Sequence, residues 1–109
     1  MSERLEQLKK LQAMDPSDPF LTYGIAMEYE KADDPAEVVI WLDRTLALDG
    51  NYLYAYFQKA RALSSLGEET EAVDAAREGY RRAQLSGDEK AVEELRGLML
   101  ELGEALEED

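Results

Sequence analysis

The chain of 109 residues contains no cysteine and no histidine. Without cysteine there are no disulfides, thiolate metal sites or cysteine nucleophiles. Without histidine the commonest general base and the commonest metal ligand are missing, which closes most hydrolase and zinc mechanisms. An enzyme would have to work with carboxylates, lysine or tyrosine alone. No glycine-rich phosphate loop, calcium-loop spacing or nucleophile elbow is present either. The acid pairs Asp33-Asp34 and Glu68-Glu69 fall at helix junctions, where acids serve as caps and partners of the helix dipole. The expectation is a non-enzymatic protein with no catalytic residue, cofactor or metal.

Long apolar runs are also absent. The first stretch, MSERLEQLKKLQAM, has charges scattered through it, and no later segment approaches the ~18 apolar residues of a membrane span. Neither a signal peptide nor a membrane partner is expected, and a cytoplasmic location is the simplest reading. Cations are scarce: 12 basic residues stand against 25 acidic ones, a formal net charge of −13. Such a surface repels phosphate backbones, so nucleic acid is a poor partner and a basic protein or peptide a better one. The acid excess is equally explained as a solvated face, or as a halophile adaptation to a salt-rich cytoplasm.

What is present is a normal globular share of apolar residues, 45%, arranged with helical periodicity. Leu5, Leu8 and Leu11 mark a first helix over 2–13, ended by Asp15-Pro16. A second is predicted from Asp18 to Lys31, with Pro19 suited to its first turn. Asp34 caps a third, with Pro35 at its first position and Glu37 placed for a capping box. This helix should end at Asp49-Gly50 through a left-handed glycine, with Asn51 as N-cap of the fourth. Helix four runs to Leu66 before Gly67, and helix five from Glu69 to Ser86 with a thin packing side of Ala72, Ala75, Ala76 and Ala83. After Gly87-Asp88 a sixth runs to about Glu107. Its Val92, Leu95, Leu98, Met99, Leu102 and Leu106 share one face, as a terminal cap requires.

The stretch Asn51 to Ala72 loosely repeats the residues 34 positions earlier. Ala60 falls on Ala26, Phe57 on Tyr23, Tyr54 on Phe20, Gly67 on Asp33, and Asp49-Gly50 on Asp15-Pro16. A period of that length means stacked supersecondary units, because one such unit cannot bury its apolar face alone. At about 100° per residue, helices two and four each carry two opposed stripes. One comprises Thr22, Ile25, Ala26 and Tyr29, then Tyr56, Ala60 and Leu63. The other comprises Phe20, Tyr23, Met27 and Lys31, then Tyr54, Phe57, Arg61 and Ser65. The first packs within the repeat; the second needs a neighbour or serves as a binding surface. Replacing Phe57 on the second stripe is therefore expected to leave most of the internal packing intact.

Residues 19 to 86 resemble two tandem tetratricopeptide repeats, whose pattern is W-x2-L-G-x2-Y, then A-x3-F, then P. Ile25, Ala26 and Tyr29 match the L, G and Y positions of one copy, with Leu42 and Gly50 at the later F and P. Tyr56, Ala60, Gly67 and Ala72 match the second copy. Thr22, Lys59, Val38 and Gln84 depart from the pattern, and the last departure lets helix five run on. The resemblance implies an all-α, right-handed superhelix of antiparallel helix pairs, an α-solenoid of about six helices. It divides the single domain 1–109 into an N-terminal half-repeat (1–17), two repeats (18–52 and 53–86) and a capping helix (87–109). It also implies a concave groove that binds an apolar peptide or helix of a partner protein, lined by Phe20, Tyr23, Met27, Glu30, Lys31, Tyr54, Phe57, Arg61, Ser64 and Ser65. The chaperone-adaptor branch grips a C-terminal carboxylate with Lys, Asn and Arg; at those positions this chain has Tyr23, Met27, Gln58, Asp88 and Val92. The alternative is an assembly protein that self-associates, as a homodimer, or docks to one fixed subunit through the same surface. A monomer favours the peptide-binding reading.

Overall fold

The computed structural model describes residues 2 to 103, and among them there are six helices and no strand. They are α1 (Glu3–Met14), α2 (Pro19–Lys31), α3 (Pro35–Leu48), α4 (Leu53–Ser65), α5 (Glu69–Ser86) and α6 (Glu89–Glu101). Each packs on the next, and α6 also returns to touch α4. The predicted extension of α6 to Glu107, with Leu106, lies outside the described residues.

The 34-residue step is written into the turns. Asp33 (φ 58°) and Gly67 (φ 79°) both adopt the left-handed conformation that stops a helix. The following amide closes each cap in the same way: Asp34 N donates to Tyr29 O at 3.0 Å, Glu68 N to Leu63 O at 2.9 Å. The wider junctions repeat too. Asp15 N donates to Leu11 O and Asp49 N to Thr45 O, each at 2.9 Å.

Two details of the α3–α4 junction differ from expectation. Gly50 is not left-handed; Asp49 ends α3 in an extended conformation, and its Oδ1 accepts from Asn51 N at 2.9 Å. The N-cap of α4 is Tyr52, without a side-chain cap bond, rather than Asn51. Asn51 Oδ1 instead accepts from Arg82 Nη1 at 3.2 Å. Gly50 lies close under the Arg82 guanidinium, where a Cβ would sit 2.9 Å from Nη1 and the flexible arginine would shift to admit it, and its carbonyl accepts from Tyr56 Oη at 2.7 Å. The other predicted caps are formed by Asp18, Asp34 and Asp88, which accept from Phe20 N, Glu37 N and Ala91 N.

The core runs along the array. Leu5 and Leu8 of α1 meet Ile25, Ala26 and Tyr29 of α2 and Val38, Trp41 and Leu42 of α3. Further on, Ala60 and Leu63 pack with Ala72, Ala75 and Ala76 of α5 and Leu98 and Met99 of α6. Side chains as fully enclosed as Ile25 and Leu42 each contribute about 1.5–3 kcal/mol by burial. The thin side of α5 lets α4 approach until a Cβ on Gly79 would lie 2.5 Å from Tyr56 Cβ.

Polar groups fill the places where the repeat pattern is broken. Thr22, where an aromatic is usual, is buried against Thr45, their hydroxyls 2.8 Å apart, and donates to Pro19 O. Lys59, in place of leucine, reaches Asp43 on α3 at 2.7 Å.

Candidate binding groove

Helices α2 and α4 each bury one stripe and leave the other accessible. Thr22, Ile25, Ala26 and Tyr29 are buried, as are Tyr56, Ala60 and Leu63. On the opposite stripe of α2, Phe20 is 66% exposed, while Tyr23 and Met27 are half-buried. On α4, Tyr54 is exposed at its edge, Phe57 half-buried, and Arg61 and Ser65 exposed.

Tyr23 stacks on Tyr52, with ring centroids 4.9 Å apart and planes inclined by 28°. Burial pushes the Tyr23 phenol above its ordinary pKa, opposed by a hydrogen bond from Gln58 of α4. Tyr54 is raised as well, chiefly because its hydroxyl hydrogen-bonds the Glu94 carboxylate of α6. Polar side chains of one groove helix thus reach the aromatic rings of the one before. The sequence reading missed Tyr52 and Glu94, since one comes from the α3–α4 turn and the other from α6, outside the two stripes.

Arg61 stands over the Phe57 ring, 5.9 Å from its centroid, and borders two clefts. One is lined by Glu30, Asp33, Asp34, Gln58 and Ser65, the other by Ser64, Leu98, Glu101 and Leu102. Phe57 itself packs against the buried side chains of α5 and α6, so it is partly structural, contrary to the expectation that its removal would spare the packing. Lys31 pairs within its own helix: its Nζ lies 3.2 Å from Glu28 Oε2, one turn earlier on α2.

Glu28 is an unforeseen feature. It is buried on the flank of α2, where its carboxylate takes Lys31, Arg4 Nε at 3.3 Å and the Ser2 hydroxyl at 3.1 Å. The Lys31 hydrogen bond, foremost among these contacts, holds the carboxyl below its usual range. Among the described residues no group of three or more acids is placed to hold a metal ion, and no helix is long and apolar enough to cross a membrane.

No protein-family profile matches the sequence, and no curated protein matches it. Solved structures do. A protein from Bordetella parapertussis superposes with a TM-score of 0.82 at 23% identity, over 94% of this chain and 90% of its own. The solution structure of a tetratricopeptide repeat domain protein from Salinibacter ruber gives 0.75 at 27% identity, over 87% of this chain and 95% of its own. MamA gives 0.66 at 19% identity, over 94% of this chain and 68% of its own. The chain has a tetratricopeptide-repeat fold.

The fold is the expected all-α, right-handed superhelix of antiparallel helix pairs. Within it α2, α4 and α6 alternate with α3 and α5 along the array. Their starts show a shift of register: Pro19 to Leu53 is 34 positions, but Leu53 to Glu89 is 36. The two additional residues arise because α5, lacking the closing proline at Gln84, runs 18 residues against 14 for α3. The positions on α6 that match the carboxylate-gripping set are therefore Lys90 and Glu94 rather than Asp88 and Val92. With Tyr23, Met27 and Gln58 they supply one cation, which does not make such a grip.

Proposed function

We propose that the chain is a non-enzymatic protein-interaction module that binds an apolar peptide or helix of a partner protein along α2, α4 and α6. The observation that carries this reading is the opposed stripes. Helices with one side fully enclosed present, on the other, Phe20, Tyr23, Met27, Tyr54 and Phe57, and accessible apolar patches of this kind mark interaction sites. Aromatics and arginine are also the residues that most often dominate binding energy. The repeat fold supports this reading, since stacked helix pairs form extended concave surfaces of the kind used for binding. Absence of histidine and cysteine from the sequence supports the non-enzymatic part of the reading.

Selection of random twelve-residue peptides on the immobilised chain tests it. Recovered peptides should be rich in apolar residues and should lose binding at least tenfold to the Tyr54→Ala chain. Peptides indifferent to Tyr54→Ala and to Met27→Ala would place binding elsewhere. A stable dimer in light scattering, disrupted by Tyr54→Ala, would instead support self-association through this surface.

A further inference from the structure

A second cleft opens beside the enclosed stripe of α4, where α3 and α5 both pack on that helix without closing over it. Its volume is about 410 Å³, against about 90 Å³ and 210 Å³ for the two clefts that border Arg61. The floor is apolar, formed by Val39 of α3, Tyr56 and Leu63 of α4, and Ala75 of α5. Val39 is half-buried and packs on both parts of the core described above. Ala75 explains the space, since α5 sends no long apolar side chain from that position across to α3. Ile40, 45% exposed, extends the apolar surface along α3, one turn from Asp43.

Polar groups stand at the rim, and ion pairing divides them. Asp43 is taken by Lys59 at 2.7 Å, and Glu78 by Arg81 at 2.6 Å and Arg82 at 2.8 Å. Glu71 and Asp74, on the first two turns of α5, are exposed and have no ion pair among the described residues. Arg77, the next cation on α5, is not part of the lining. Lys59 stands where the repeat pattern has leucine, and its reach to Asp43 leaves the α3 side of the rim neutral and the start of α5 acidic. Internal packing accounts for Tyr56 and Leu63, which are buried. It does not account for an apolar floor left open between two helices.

We propose that this cleft is a second docking surface, which takes the apolar ridge of an amphipathic helix from a partner protein, with lysine or arginine on its α5 side. The proposal is independent of the groove. A helix fits because the cleft runs between two helices laid on a third, and the side-chain ridge of an added helix seats in such a trough. The open apolar floor supplies the affinity. Glu71 and Asp74 steer the encounter and set the helix's orientation more than they add binding energy, as rim charges do. The chain's net charge of −13 favours a basic partner and disfavours a second copy of the chain, which is equally acidic. Two partner segments can then be held at once, on opposite stripes of α4.

Selection of displayed eighteen-residue helical peptides on the full chain tests this, each recovered peptide being sorted by its response to variants. Cleft peptides should keep their binding to Tyr54→Ala and carry an apolar ridge with an excess of lysine and arginine. They should weaken at least fivefold on the exposed-site double variant Glu71→Gln, Asp74→Lys, and at least threefold on Ile40→Ser. In NMR they should shift the methyl signals of Val39, Leu63 and Ala75 and leave that of Met27 unmoved. If every recovered peptide depends on Tyr54, the cleft proposal falls and the groove stands. A cleft class without any Tyr54-dependent class would support this proposal and sink the groove. If no peptide is recovered, both fall. Cleft peptides no richer in cations than the library, or indifferent to the α5 double variant, would overturn the partner assigned here.

Discussion

Gly79 of α5 lies so close to Tyr56 of α4 that a methyl group on the glycine would sit 2.5 Å from the tyrosine Cβ and 3.2 Å from Leu95 Cδ2. A backbone-rooted Cβ cannot swing away, so the helices must part. Alanine would raise helix propensity by about 1 kcal/mol, but overpacking costs about 1–3 kcal/mol. Gly79→Ala is therefore expected to destabilise the chain in urea unfolding. An increase in stability would show that α4 and α5 are less closely packed than described here.

Tyr54 and Phe57 differ in how far each is built into the fold. Tyr54 is at the exposed edge but touches Glu94, so Tyr54→Ala should cost about 0.5–1.5 kcal/mol. Phe57 packs on α5 and α6, and Phe57→Ala should cost roughly 1–3 kcal/mol, below the 3–5 kcal/mol of a fully buried phenylalanine. Ala60, wholly enclosed on the opposite stripe, should tolerate leucine poorly, at about 1–3 kcal/mol. Chemical denaturation of the three variants checks the order; a silent Ala60→Leu would reverse the assignment of faces.

Glu28 and Glu78 give the fold an acid-sensitive component. Glu28 is held below its usual pKa first by the Lys31 hydrogen bond, and Glu78 by those of Arg82 and Arg81. A depressed carboxyl contributes stability that is present above its unfolded value, about 4.3, and is lost as pH falls through its folded value. Melting temperature should therefore drop below about pH 4, and Glu28→Gln should lower it at pH 7 while flattening that drop. An unchanged acid profile in Glu28→Gln would mean that the contacts to Arg4 and Lys31 carry no net stability.

The excess of carboxylates makes a second solution prediction. Self-repulsion of a chain with net charge −13 should weaken as salt screens it. Melting temperature should climb between about 10 mM salt, where the Debye length is roughly 30 Å, and 1 M, where it is about 3 Å. A flat profile would leave the acidic surface without a role in stability.

Much of this fold was legible because its signals are local. Proline, glycine and aspartate punctuate each helix, and the turns at Asp33 and Gly67 repeat in geometry as they do in sequence. What escaped depends on contacts between distant segments. Gly79 looks like any helical glycine until Tyr56 is brought against it. Glu28 lies on the flank between the two stripes of α2, and only the arrival of Ser2 and Arg4 makes it a buried acid. Gly50 was expected to be a left-handed cap, whereas its φ is not positive and it lies beneath the guanidinium of Arg82, thirty-two positions on. The groove's aromatic stripe could be read from helical angles. Its closure by Tyr52 and Glu94 could not, since that depends on how a turn and the sixth helix are laid beside it.

The most direct test is an amide chemical-shift map of the chain with one selected apolar peptide bound. The account predicts that the perturbed signals cluster at Tyr23, Met27, Tyr54, Gln58 and Arg61, with Glu94 of α6 completing the patch. Perturbation centred instead on Val39, Asp43, Lys59 and Glu71, which line a separate cleft formed by α3, α4 and α5, would contradict it.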